Sequence, residues 1–327
     1  MSAGPAREGE PLRLGIDIGG TKTDAVVIDG DGTPVHRVRL ATGHGADAVL
    51  DTAVAVAGRL ERLAGARFAS VGVGIPGMVA PQSGLVRHAV NLGFEELELG
   101  ALLGERLGAQ VRVENDVKAA TLGAYRLLHP GAPDETGSMA YLNLGTGVAA
   151  GFVVGGALWR GARGTAGEIG HIPVDPNGAV CACGQRGCLE TVASGSAVAR
   201  MWPTANPSPA HALFAAARAG DGEARRVVRR LTEGIATAVR LLVLTLDVDA
   251  VVVGGGLAQL GDALLSAVRR TLSEWGEASS FVAALGLPAR VRMLPDGAPA
   301  AAVGAALVGG GALSGAPGVR PVTAVRL

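Results

Sequence analysis

Short apolar runs separated by glycine corners open the chain, and their alternation has the period of strands. Leu12–Ile18 reads as a strand, Gly19–Lys22 as a tight turn and Thr23–Ile28 as the returning strand. A second turn at Asp29–Gly32 leads into a third alternating run, Thr33–Leu40. The period then lengthens. Val49, Ala53, Val56, Leu60 and Leu63 recur at helical spacing and predict an amphipathic helix over Ala46–Leu63. Ser70–Ile75 and Val111–Val113 read as short strands, Gly100–Leu107 and Val117–Leu128 as helices, and His129–Gly137 as a polar loop.

The opening pattern then returns. Met139–Leu144 and Val148–Val154 are strands joined by Gly145-Thr146-Gly147, a weak copy of the first strand, glycine turn and strand. Two copies of one unit predict two like-folded halves. After the proline-rich Thr204–Pro209, helices are expected over Ala210–Gly220 and Glu223–Leu246. A buried strand Ala250–Val253, the run Gly254-Gly255-Gly256 and a helix near Gln259–Trp275 follow. A last strand, Arg290–Leu294, and a last helix, Pro299–Leu313, complete the pattern.

Length and composition narrow the class. The 327 residues are 48% hydrophobic and 18% charged, which predicts a globular chain of two domains. Twenty-nine basic residues balance 29 acidic ones, and aromatics are 3%. A nucleic-acid partner, which leaves a basic excess and stacking platforms, is therefore not expected. The uncharged run Gly297–Val319 is mostly Ala and Gly with Pro299 and Pro317 inside, so a helix packed on a sheet is expected there and no membrane span. The charged N-terminus lacks the apolar stretch of a secretory signal. Three cysteines in one window do not make a disulfide framework, so a reducing, cytoplasmic location is expected.

Those cysteines define the densest chemistry. The spacing is His171-x9-Cys181-x-Cys183-x4-Cys188, inside the stretch Gly167–Glu190 that glutamates Glu168 and Glu190 bracket. Four nitrogen and sulfur ligands with no open position predict a closed, structural zinc site. Gly178, Gly184 and Gly187 leave that loop unable to build a core of its own.

The glycine turns offer unpaired backbone N–H groups beside hydroxyls, a concavity for anions, although each alone also fits a plain hairpin corner. Two such corners plus Gly254–Gly256 predict one nucleotide held by three approaches. No G-x-x-x-x-G-K-[S/T] occurs. Gly72–Gly77 matches G-x-G-x-x-G, but Pro76 stands where a helix would begin, which argues against a dinucleotide site. Glu114-Asn115-Asp116 joins a strand to a helix. There Asp116 reads either as the N-cap or as a general base, and Asn91 as a turn residue or a ligand.

Taken in order, D-I-G-G-T-K-T, G-V-G-I-P-G, E-N-D-V-K-A-A, L-G-T-G-V, G-E-I-G-H and C-x-C-G-x-x-G-C-x-E resemble the ROK family of bacterial sugar kinases and sugar-responsive repressors. The resemblance covers Leu12–Leu313. It implies an α/β fold of two actin-like (ribonuclease H-like) lobes with an ATP cleft between them and a zinc-stapled loop. Residues 12–116 with the helix 297–313 would form the smaller lobe and 117–296 the larger, the zinc loop spanning 167–190, with tails at 1–11 and 314–327.

Residue by residue, the resemblance makes Asp116 the base and Asn91, Asn115, Asp116, Glu168, His171 and Glu190 the sugar ligands. Asp17 would help place the Mg²⁺ of MgATP. Gly19, Gly20, Thr21 and Lys22, and Gly145, Thr146 and Gly147, would be the phosphate loops, with Gly254, Gly255 and Gly256 on the adenosine side. Structural Zn²⁺ would sit on His171, Cys181, Cys183 and Cys188. The implied activity is ATP-dependent phosphorylation of a hexose, glucose to glucose 6-phosphate, in a homodimer or homotetramer. The G-H-I-P-V-D-P-N-G stretch departs from the glucokinase version and leans toward N-acetylmannosamine or N-acetylglucosamine kinases. A sugar-responsive regulator without its DNA-binding module is the alternative of another class.

Overall fold

The structure, a computed structural model, describes residues 11–80, 82–129 and 137–311. The expected tails, apart from Pro11, and nearly all of the polar loop after His129 lie outside those residues. In chain order the first elements are β1 (Arg13–Ile18), β2 (Lys22–Ile28), β3 (Pro34–Ala41), α1 (Ala46–Ala64), β4 (Ser70–Ile75), β5 (Met78–Ala80), β6 (Leu85–Ala89) and β7 (Phe94–Leu97). Next come α2 (Leu99–Leu107), β8 (Val111–Asn115), α3 (Asp116–Leu128), β9 (Ser138–Leu144), β10 (Val148–Val154), β11 (Ala157–Trp159), α4 (Glu190–Ala193) and α5 (Gly195–Met201). The remainder are α6 (Pro209–Ala219), α7 (Gly222–Leu246), β12 (Ala250–Gly254), α8 (Asp262–Glu277), α9 (Ser280–Ala284), α10 (Leu287–Arg290), β13 (Val291–Met293) and α11 (Ala300–Gly309).

The chain divides into two compact units. The first comprises Met1–Gly137, Val153–Arg160 and Pro299–Leu327. Its sheet runs β3-β2-β1-β4-β8, antiparallel through the opening hairpins and parallel from β1 onward. The buried residues of α1 (Val49, Leu50, Ala53, Val56, Leu60) fill the core beneath it. Each of the Val and Leu side chains contributes roughly 1.5–3 kcal/mol of transfer free energy.

The helix α11 packs against α3 and the sheet. It is mostly Ala and Gly, and backbones approach closely on both sides of it: a Cβ on Gly304 would fall 1.7 Å from Ala119 O in α3, and one on Gly72 in β4 1.8 Å from Ala305 O. The uncharged C-terminal run thus yields a ten-residue helix. Among the described residues no helix is long and apolar enough to cross a membrane.

The second unit, Ser138–Phe152 and Gly161–Ala298, carries the sheet order β11-β10-β9-β12-β13, to which the Val153–Arg160 segment supplies β11. Its core gathers Leu142, Leu144, Phe152, Leu231, Ile235, Val239 and Val251.

One expectation changes. The boundary between units lies at Gly137 and not after Asp116, because α3 packs on α11 and β4. The stretch after Gly77 forms a three-stranded antiparallel sheet, β5-β6-β7, which alternation over three to five residues is too short to predict. Since β5 and no helix follows Gly77, the G-x-G-x-x-G match is not a dinucleotide fingerprint.

Candidate active site

In the first unit the parallel register sets one row across three strands. Asp17 on β1 pairs with Gly74 on β4, and Gly74 with Glu114 on β8. All three lie at the C-terminal edge of the sheet, where α/β folds carry their ligands. The absent side chain of Gly74 brings its neighbours together. A Cβ there would lie 3.7 Å from both Asp17 Oδ1 and Asp116 Cα.

Asn115, not Asp116, caps α3. Its Oδ1 accepts from Val117 N at 3.0 Å and Lys118 N at 3.2 Å, and its Nδ2 donates to Gly77 O at 3.2 Å. The capping alternative for Asp116 is thereby taken by its neighbour, as Asn is well suited to do. Asp116 opens the helix, and its Oδ1 accepts from Val117 N at 2.9 Å.

Burial first, then the charges of Asp116 and Asp24, push the Asp17 carboxyl up to about 8, against the pull of Arg39. Burial also raises Asp24, but hydrogen bonds from Arg37 and Arg39 outweigh it and hold that group below its ordinary value. Asp17 is therefore the carboxyl of this edge with an unmet need for positive charge. An oxygen donor of that kind fits a hard cation such as Mg²⁺.

The first glycine corner closes with Gly19 N donating to Lys22 O at 2.9 Å, leaving Gly20, Thr21 and Lys22 exposed. Asn91 sits in a 3-10 turn, with its Nδ2 3.3 Å from where a Cβ on Gly20 would be.

In the second unit β9 and β12 pair in parallel, Gly254 opposite Asn143. The Gly145–Gly147 turn and the Gly254–Gly256 run therefore leave the same sheet edge. Gly195 N, at the start of α5, donates to Gly145 O at 2.8 Å, and Ser194 caps that helix. Sequence reasoning missed this clamp, although a serine two residues before an apolar helical run was the readable signal.

The G-E-I-G-H segment lies along β10. Its spacing of glycines is a contact requirement, since a Cβ on Gly167 would fall 1.8 Å from Ala150 O and one on Gly170 2.0 Å from Val148 O. Glu168 is exposed and His171 ends a 3-10 turn. Glu190 opens α4, and its Oε2 accepts from Val148 N at 3.0 Å.

The ligand atoms of His171, Cys181, Cys183 and Cys188 all lie within 4.8 Å of one another. Cys183 Sγ is 3.7 Å from Cys188 Sγ, and Cys181 Sγ is 3.8 Å from His171 Nδ1. A tetrahedron with Zn–S bonds of about 2.3 Å has edges of about 3.8 Å, so the set fits zinc. Backbone and side-chain hydrogen bonds from Gln185 lower the Cys183 thiol to about 6. Desolvation and the neighbouring sulfurs push Cys188 up to about 12. That crowding of sulfurs is the chemistry a divalent cation relieves. With Nδ1 turned to Cys181, Nε2 is the second nitrogen of His171.

The structure thus brings Asp17, the first turn, Asn91, Asn115 and Asp116 into the first unit. Both later glycine runs, Glu168, His171, Glu190 and the cysteines belong to the second. Glu114 was missed as a functional candidate: it is 2% exposed and bonded to Arg160, a partner 46 residues away that no local pattern reveals.

The sequence model of the ROK family matches residues 13–308. A glucokinase from Halalkalibacterium halodurans is 33% identical over 279 residues, 79% of this chain and 84% of that one. An N-acetylmannosamine kinase from Haemophilus influenzae is 31% identical over 266 residues, covering 80% and 86%. The crystal structure of a ROK family glucokinase from Streptomyces griseus, in complex with glucose and AMPPNP, superposes with a TM-score of 0.74. It is 31% identical and covers 92% of this chain and 99% of that one.

Proposed function

This chain belongs to the ROK family, and from that membership we propose that it is an ATP-dependent hexose kinase, forming glucose 6-phosphate with Asp116 as the general base. One observation carries the assignment of the base. Asn115 supplies the cap of α3, and Asp116, the first residue of that helix, stands at the strand ends across the vacant side-chain position of Gly74 from Asp17. The glucokinase relatives and the glucose- and AMPPNP-bound neighbour support sugar and donor.

The chemistry asked of the chain is mainly positioning. Asp116 accepts the proton of the sugar hydroxyl as its oxygen attacks the γ-phosphoryl, and ADP leaves. In the Gly19–Lys22 and Gly145–Gly147 turns the backbone N–H groups other than those of Gly19 and Gly145, which close the turns, hold phosphate oxygens, and Gly254–Gly256 lets the adenosine approach the backbone. Asn91, Asn115, Glu168, His171 and Glu190 bind sugar hydroxyls. The cap leaves Asn115 one N–H to give. Mg²⁺ bound with ATP supplies charge neutralisation, and Asp17 is the side chain that fits it. Zinc on His171 and the three cysteines is structural, fixing the loop whose ends carry Glu168 and Glu190.

The N-acetylmannosamine kinase relatives support a second acceptor, N-acetylmannosamine, on the same site. A coupled ADP-release assay over glucose, mannose, fructose, N-acetylglucosamine and N-acetylmannosamine tests the reading. Glucose-dependent ADP release is expected. Release with N-acetylmannosamine alone moves the assignment to that sugar, and release with none contradicts the kinase. Sedimentation of the purified protein decides between homodimer and homotetramer.

A further inference from the structure

Glu114 is a buried carboxylate outside the residues assigned above to the sugar and the phosphates. Burying a charge is unfavourable unless it is paired, and a buried ion pair is seldom retained for stability alone. Both oxygens of Glu114 are in use. Oε2 accepts from Arg160 Nε at 2.6 Å, and Oε1 accepts from the backbone N–H of Asn115 at 3.0 Å. Asn115 passes the constraint on in two directions, to Gly77 O and to the first N–H groups of α3. An unbroken chain of hydrogen bonds therefore runs from Arg160 to the residue beside the base. Arg160 follows β11 and is itself 26% exposed, so the pair joins the end of β11 to the end of β8.

We propose that Arg160 and Glu114 are a positioning pair for Asp116, holding the Asn115–Asp116 peptide at the reacting geometry and balancing the charge beside the base. The inference rests on the reading of Asp116 as the base. The pair is neutral as a unit and Asp17 on β1, the other carboxyl facing Asp116, is the same in every variant, so removing either member leaves a charge of known sign. Glu114→Gln leaves Arg160 uncompensated and lowers the proton affinity of Asp116. Arg160→Gln leaves Glu114 uncompensated and raises it.

The test is the pH profile of kcat for the wild type, the two single variants, the Glu114→Gln/Arg160→Gln double variant and Arg160→Lys. Each single variant is expected to lose about tenfold or more in kcat, as misplacing a reacting group does, with KM for ATP nearly unchanged. The acid limb should move down by about half a pH unit in Glu114→Gln and up by a similar amount in Arg160→Gln. It should return to the wild-type position in the double variant, while kcat stays low. Arg160→Lys keeps the charge and should leave the limb in place. Wild-type kcat in the single variants, or limbs that stay still or move the same way, overturns the proposal. If the single variants do not fold, the charge-neutral double variant decides, and a wild-type kcat there overturns it. Asp116→Asn separates the two readings: full turnover in that variant removes the base itself, whereas a dead Asp116→Asn beside fully active pair variants removes only the positioning role.

Discussion

Glu190 Oε2 accepts a hydrogen bond from Val148 N at 3.0 Å, tying the residue that ends the cysteine loop to the strand that leaves the second glycine turn. The space for that bond is kept by Gly147. A Cβ at 147 would stand 2.3 Å from the same oxygen. Gly147→Ala should therefore displace a carboxylate while leaving the backbone in place. KM for the sugar should rise about tenfold to a hundredfold, the loss of roughly one hydrogen bond to a charged group, with melting temperature nearly unchanged. Steady-state kinetics with a thermal melt checks both halves.

The cysteine loop has little apolar packing of its own and depends on its ligand set. Purified protein should contain one zinc per chain by elemental analysis. Cys188→Ser, at a fully buried sulfur, should lose the metal and lower the melting temperature by more than about 5 °C. Zinc-free protein with an unchanged melt would contradict the structural site.

Asp17 gives the fold a pH dependence of unusual sign. Its folded value, about 8, lies above the ordinary carboxylate value, so the folded state binds the proton more tightly than the unfolded chain. That contribution to stability is fully present at acid pH and is lost as pH rises toward and through about 8. Asp17→Asn removes the titration. In the absence of ATP and Mg²⁺ the variant should gain melting temperature relative to wild type as pH rises from about 5 to about 9. It should also lose most of its activity. Parallel melting curves across that range would contradict the burial of Asp17 beside Asp116.

The sequence made some of this visible and hid the rest for physical reasons. Long periodic segments such as α1 and α7 could be read because their buried faces recur at helical spacing. The cluster of His171 with the three cysteines could be read because its four residues lie within one loop. Asn115 and Asp116 could not be told apart, since both residue types cap helices and only the hydrogen bonds to Val117 N and Lys118 N choose between them. The row Asp17–Gly74–Glu114 depends on strand register, and the Glu114–Arg160 pair on a contact between distant segments. The boundary at Gly137 follows from the packing of α3 on α11, whose sequences are about 170 residues apart and carry no shared signal.

The most direct measurement is ADP release and glucose 6-phosphate formation with ATP, Mg²⁺ and glucose for wild type and Asp116→Asn, alongside calorimetric glucose binding. The account predicts stoichiometric ADP and glucose 6-phosphate from the wild type. For Asp116→Asn it predicts a fall in kcat of at least about 100-fold with glucose binding largely kept. Turnover by Asp116→Asn at the wild-type rate, or a wild type that binds glucose and never releases ADP, would contradict it.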